Sequence, residues 1–141
     1  MIIKEQIQEY IKDQNEMKRF EMQTLHELVT KVMHDSKLWF FDGKDENNKT
    51  VSNPNIGYGN HTIKYVDGTI KEFYKIGISA NTAGISVYIF GIENKKFLPE
   101  TYGHKIGKAS VSGYCIKFKT IKDINIEVLE EIIRVAANQN S

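Results

Sequence analysis

The chain has 141 residues, 40% of them hydrophobic and 26% charged, which is the length of one domain and the composition of an ordinary globular protein. Its 19 Lys and Arg against 18 Asp and Glu leave a net charge of +1, so the whole-chain field exerts no strong pull on nucleic acid or an anionic membrane. The single Cys115 excludes an intrachain disulfide and any zinc site built from four cysteines or from two cysteines and two histidines. Met1-Ile2-Ile3 runs directly into Lys4 and Glu5 without the apolar segment of a signal peptide. No uncharged apolar run approaches the ~18 residues of a membrane span. The expectation is a soluble, reduced, cytoplasmic protein with no membrane partner.

Ile3, Ile7, Tyr10 and Ile11 recur at helical spacing. After the polar break Asp13-Gln14-Asn15 the period resumes with Met17, Phe20, Thr24, Leu28 and Val32, broadened by Leu25, Val29 and Met33. Two consecutive amphipathic helices are predicted, the second capped by Asp13 or Asn15. Residues 42–54 form a polar, turn-rich stretch without an apolar period, and the expectation is a surface loop that is functional or mobile. Beyond Pro54 the period becomes strand-like through Ile56, Tyr58, Ile63 and Tyr65, turns at Asp67-Gly68 and continues through Ile70, Phe73, Ile76 and Ile78. A β-meander is the simplest account. Ile85, Val87 and Ile89 alternate with Ser86, Tyr88 and Phe90, the pattern of a central strand covered on both faces. Phe97–Tyr102 reads as a helical turn or irregular link, Tyr114–Phe118 as a strand, and Ile124, Val128, Ile132 and Val135 as the stripe of a last helix capped by Asn125. Strands between helices predict an α+β fold: an antiparallel sheet of four to six strands with the N-terminal helices and a C-terminal helix on one face.

Four features carry possible chemistry. Glu5, Glu9, Asp13 and Glu16 would stack along one face of a continuous helix, a ridge able to hold ferrous iron or manganese weakly through oxygen ligands. A solvated outer helix face explains the same spacing. In Gly103-His104-Lys105-Ile106-Gly107-Lys108, two glycines free the backbone to point amides at an anion while His104, Lys105 and Lys108 supply charge; a solvated basic turn is the other reading. Trp39, Phe40 and Phe41 cluster at the end of the second helix, as core or as the wall of a pocket that Tyr58 and Tyr88 would share. The histidines and the cysteine read as structural. His26-Glu27 opens like a zinc-protease motif but meets Thr30 where the second His is required. His61 lies among tyrosines, and Cys115 sits mid-strand like an inert thiol.

Three stretches in register carry a resemblance. These are Ile56-Gly57-Tyr58-Gly59 with Lys64-Tyr65 and Asp67-Gly68; Gly77-Ile78-Ser79 running to Ile85-Ser86-Val87-Tyr88-Ile89; and Gly103–Lys108 with Cys115-Ile116-Lys117-Phe118-Lys119 and Asp123-Ile124-Asn125. Over residues 17–137 the chain resembles the YdhG-like family, a bacterial domain-of-unknown-function family that includes a frataxin-like intracellular iron chaperone. The resemblance implies a frataxin-like α+β domain spanning the chain, weak iron binding, and delivery to iron-cluster or haem assembly proteins. The acidic residues Glu5, Glu9, Asp13 and Glu16 would be its counterpart here. The family's Ser-Pro-Arg-Lys turn is replaced by Ser79-Ala80-Asn81-Thr82, which removes both basic residues, although Lys105 and Lys108 are kept.

The leading expectation is a non-enzymatic iron-binding protein or chaperone with no catalytic set. The alternative is a small-ligand, anion or partner-binding module that uses a groove between Trp39, Tyr58 and Tyr88 with the basic residues His104, Lys105 and Lys108. Nucleic acid is disfavoured as a partner by the balanced charge.

Overall fold

The computed structural model describes residues 2–138. It is an α+β fold in which three helices cover one face of a six-stranded antiparallel sheet. Helices α1 (Ile3–Lys12) and α2 (Glu16–Val32) come first, separated at Asp13–Asn15. Asp13 closes α1, and the Asn15 side chain accepts a hydrogen bond from Lys18 N at 3.0 Å and caps α2.

The strands are β1 (Leu38–Phe41), β2 (Asn55–Tyr58), β3 (His61–Lys64), β4 (Ile70–Phe73), β5 (Ile76–Asn81), β6 (Gly84–Ile89), β7 (Ser110–Val111) and β8 (Cys115–Phe118). A short helix α3 (Phe97–Tyr102) precedes β7, and α4 (Ile126–Ala137) ends the fold, its first amides bonded to the Asn125 side chain. The sheet order is β1-β2-β5-β6-β8-β7.

Two expectations about the strands change. The meander is broken: β3 and β4 pair only with each other, and β2 crosses directly to β5. Tyr65 N bonds Thr69 O, and Gly68 takes φ +90°, closing that hairpin outside the main sheet. Trp39, Phe40 and Phe41 form the edge strand β1 rather than a helix-to-loop junction. The segment 42–54 is a turn-rich, largely exposed loop, with a Lys44–Thr50 bridge and Asp45 N bonded to Lys49 O.

α1 packs on β1, α2 and α4 pack on β5, and α2 packs on α4. The core between these layers holds Ile56, Ile76, Ile78, Ile85, Val87, Ile89 and Ile116 from the sheet against Ile7, Leu25, Val29, Leu129, Ile132 and Ile133 from the helices. Complete burial of each such side chain contributes about 1.5–3 kcal/mol. The stripe of α2 is rotated from the predicted one: Met22, Leu25 and Val29 are buried, while Met17 and Phe20 are 60% and 67% exposed. Because α1 leaves room there, Phe20 borders the groove between the two helices instead of the core. Among the described residues no helix is long and apolar enough to cross a membrane.

Candidate functional site

With the three long helices on one face, the other face of the sheet carries the side chains left over by alternation. The register sets Trp39 opposite Gly57, Gly57 opposite Gly77, Gly77 opposite Tyr88 and Tyr88 opposite Cys115, one row across five strands. The two glycines leave a trough in the middle of that row. Tyr74 lies in it, 3% exposed, and a Cβ on either glycine would fall inside the tyrosine ring. Phe73 stacks on Tyr74 with ring centres 4.1 Å apart, Phe90 follows at 5.7 Å and Phe41 at 6.1 Å. Burial raises the Tyr74 phenol above its ordinary range, so the cover is a neutral aromatic layer.

The cover leaves a cavity at each end of the face. At the β6–β8–β7 end a cavity of about 320 Å³ is lined by Tyr88, Ser110, Ser112, Tyr114, Cys115 and Lys117. Lys117 lies in register with Ser86 on one side and Ser110 on the other. It enters no ion pair among the described residues. Tyr88 and Tyr114 both lie nearly parallel to Phe90, at interplanar angles of 8° and 15°. Ser112 Oγ accepts from Cys115 N at 3.1 Å, which fixes the β7–β8 turn that carries Tyr114. Burial pushes the Cys115 thiol up, only partly opposed by Lys117 and Ser86, so it remains a protonated floor as the sequence implied. An uncommitted ammonium, a serine hydroxyl and flat aromatic walls make this end able to receive a small anion with an apolar body.

At the β1–β2 end a cavity of about 390 Å³ lies beneath the 42–54 segment, with Phe41, Phe73, Tyr74, Asp42, Lys44 and Asn55 among its lining residues. Thus two aromatics of the Trp39–Phe41 run, Phe40 and Phe41, line a pocket. Trp39 itself stacks on Phe41 at 6.2 Å and donates from Nε1 to Gly59 O at 2.7 Å, fixing the β2–β3 link, and Lys37 Nζ lies 4.1 Å from its ring centre.

The six residues assigned to a single groove do not come together. Tyr58 points into the core, fully buried, with its hydroxyl 2.7 Å from His26 Nδ1. Burial raises the pKa of that phenol and lowers that of His26, so the pair is a hydrogen bond between two neutral rings. Trp39 is on the β1 edge, whereas His104, Lys105 and Lys108 lie in the turn leading to β7 at the opposite edge. Five strand spacings of about 4.8 Å separate the two edges, roughly 24 Å. Nor does the glycine-containing turn offer a cradle of amides. Gly103 N bonds Pro99 O, Lys105 N and Ile106 N bond Tyr102 O, and Lys108 N bonds Asp123 O. Those donors stitch α3 to the start of α4, and the side chains of His104, Lys105 and Lys108 stand exposed. Of the six, Tyr88 lines a cavity with a basic residue, and that residue is Lys117.

The acidic set is partly assembled. Glu5, Glu9 and Glu16 line one groove of about 760 Å³ between α1 and α2, together with Lys12, Arg19 and the apolar surfaces of Ile11 and Phe20. Asp13, at the helix break, is not among the lining residues, because the change of direction at Asn15 interrupts the helical spacing. Among the described residues no three His, Cys, Asp or Glu side chains converge as a metal-binding group. His61 stands near Lys75 beside Gly91, its Nδ1 buried and unpartnered among the described residues, and burial together with Lys75 lowers its pKa.

Sequence reasoning missed Lys117, Ser110, Asn55 and Tyr74 as site residues. Strict alternation from Ile116 and Phe118 would have put Lys117 on the uncovered face. Tyr74 lies outside any strand, so no period could orient it. Compared with protein-family models, curated proteins and solved structures, the chain matches none of them.

Proposed function

We propose that this chain is a non-enzymatic binding protein that takes a small anionic ligand in the cavity between Tyr88 and Lys117. The observation that carries the reading is Lys117, in register between Ser86 and Ser110, lining a cavity with two tyrosine walls and paired with no carboxylate among the described residues. A lone cation at an aromatic, partly enclosed site selects a counter-charge, and the tyrosines exclude water from the apolar part of the ligand. The test is a titration of the ¹⁵N-labelled protein with benzoate, with benzyl alcohol as the neutral control. Saturable shifts of the Tyr88, Ser110 and Lys117 amides that Lys117→Met weakens by about tenfold support the reading. Benzoate shifts confined to His104, Lys105 and Lys108 would return the site to the basic turn, and no saturable shift would remove the anion function.

A second reading, iron binding and delivery to cluster or haem assembly proteins in the cytoplasm, is favoured by one observation: Glu5, Glu9 and Glu16 border the same groove. Exposed carboxylates that do not converge would hold ferrous iron weakly and release it readily. Lys12 and Arg19 on the same rim oppose it. Anaerobic calorimetry with ferrous iron decides between the readings. Binding that is lost when Glu5, Glu9, Asp13 and Glu16 are replaced by Gln or Asn supports the carrier, and no heat from the wild type ends it.

A further inference from the structure

At the other end of the open face, Asn55 presents a buried side-chain oxygen with no hydrogen-bond partner among the described residues. Asn55 pairs in register with Phe41, so both side chains leave the same face and border the cavity of about 390 Å³ beneath the 42–54 segment. The Asn55 amide nitrogen is directed toward Asn53 O at 3.5 Å, which turns the oxygen away from that loop. An unpaired buried acceptor costs about 1–3 kcal/mol unless something donates to it. The cavity also holds a carboxylate. Asp42 Oδ1 accepts from Lys44 N at 2.9 Å, so one oxygen fixes the turn and the other is available. Aromatic walls stand beside Gln6, Val51 and Ser52 in the same lining, with Phe41 and Phe73 ring centres 5.6 Å apart and Phe41 and Tyr74 6.1 Å apart.

The geometry points to a second binding site here, for a small organic cation carrying a primary ammonium group. An ammonium has three donors and no acceptor, which suits an orphan amide oxygen and a half-used carboxylate, while ring faces attract its charge. Lys44 also lines the cavity and opposes a cation. Its exposed side chain makes the prediction sharper: removing that charge strengthens binding.

The test titrates the ¹⁵N-labelled protein with benzylamine below its pKa, with benzyl alcohol as the neutral control and benzoate as the anionic one. Expected are saturable shifts at Phe41, Gly43 and Asn55, with benzyl alcohol at least about tenfold weaker. Asp42→Asn keeps an acceptor for Lys44 N and should preserve the turn, yet weaken benzylamine by about tenfold; Lys44→Ala should tighten it. Asn55→Ala should weaken the amine as well, while the preference for amine over alcohol that Asp42 supplies remains. Equal affinity for amine and alcohol, indifference to Asp42→Asn, or the absence of any saturable shift would overturn the site and leave the Asn55 oxygen to an ordered water. Shifts by benzoate at these same amides would overturn it as well.

Discussion

The two ends of the open sheet face share aromatic walls and differ in the polar groups the register delivers to them. The β8–β7 end offers a cation and a hydroxyl, Lys117 and Ser110, whereas the β1–β2 end offers acceptors, Asp42 and Asn55. Between them the face is closed by the chain's own Tyr74, seated where Gly57 and Gly77 remove two side chains from the row. Apolar area alone therefore does not mark a site on this sheet. Where glycines open the face, the protein fills the gap itself; where polar side chains stand at the end of the aromatic layer, space remains for something else.

The largest effect on the contrast between the two ends is expected from Tyr74→Ala. Loss of a nearly fully buried ring should cost about 3–5 kcal/mol, read by urea unfolding, and should open the trough between the two cavities. Next in size is Gly77→Ala, whose new Cβ would collide with the Tyr74 ring and should cost about 1–3 kcal/mol. That penalty should largely vanish in the Tyr74→Ala background. A double-mutant cycle with no coupling would mean that Tyr74 is not what the glycines accommodate.

Replacing the Asn125 cap by Ala should cost about 1 kcal/mol by frayed α4, with no change in ligand response at either end. Stability should also fall in acid. His26 is neutral against Tyr58 and its pKa lies below the ordinary 6.5, so the unfolded chain takes up the proton first as the pH drops. Its contribution is present above about pH 6.5 and is lost as the pH falls through the folded value, and His61 has the same sign. His26→Gln should flatten that slope in unfolding midpoints measured between about pH 7 and 5. The smallest effect is expected from Lys105→Ala with Lys108→Ala, within about 0.5 kcal/mol and without influence on either cavity.

Much of the fold was legible because hydrophobic period reports burial. The helix break before Glu16, the Asn125 cap, the central position of β6 and the α+β class all follow from spacing and end signals. The rotated face of α2 was not legible, since Met17 and Phe20 have the right residue type and only the position of α1 leaves them exposed. The short edge β1 was also hidden: Leu38–Phe41 is apolar throughout and has no alternation to separate a strand from a helix end. The candidate sites were less legible still. Tyr58 and Tyr88 have similar sequence surroundings, yet one faces the core and the other the open side, and the basic turn looked like a cradle until its amides were seen bonded within the fold.

By itself the sequence determined the residue types, the helical and strand periods, the caps and the turn at Asp67-Gly68, because each depends on neighbours within a few positions. Tertiary structure alone decided which side chains meet: that Tyr74 lies across Gly57 and Gly77, that Trp39 and the basic turn stand at opposite edges, and that Asn55 shares a cavity with Asp42. Those relations rest on strand order and register between distant segments, and the packing of helices on one face fixes both.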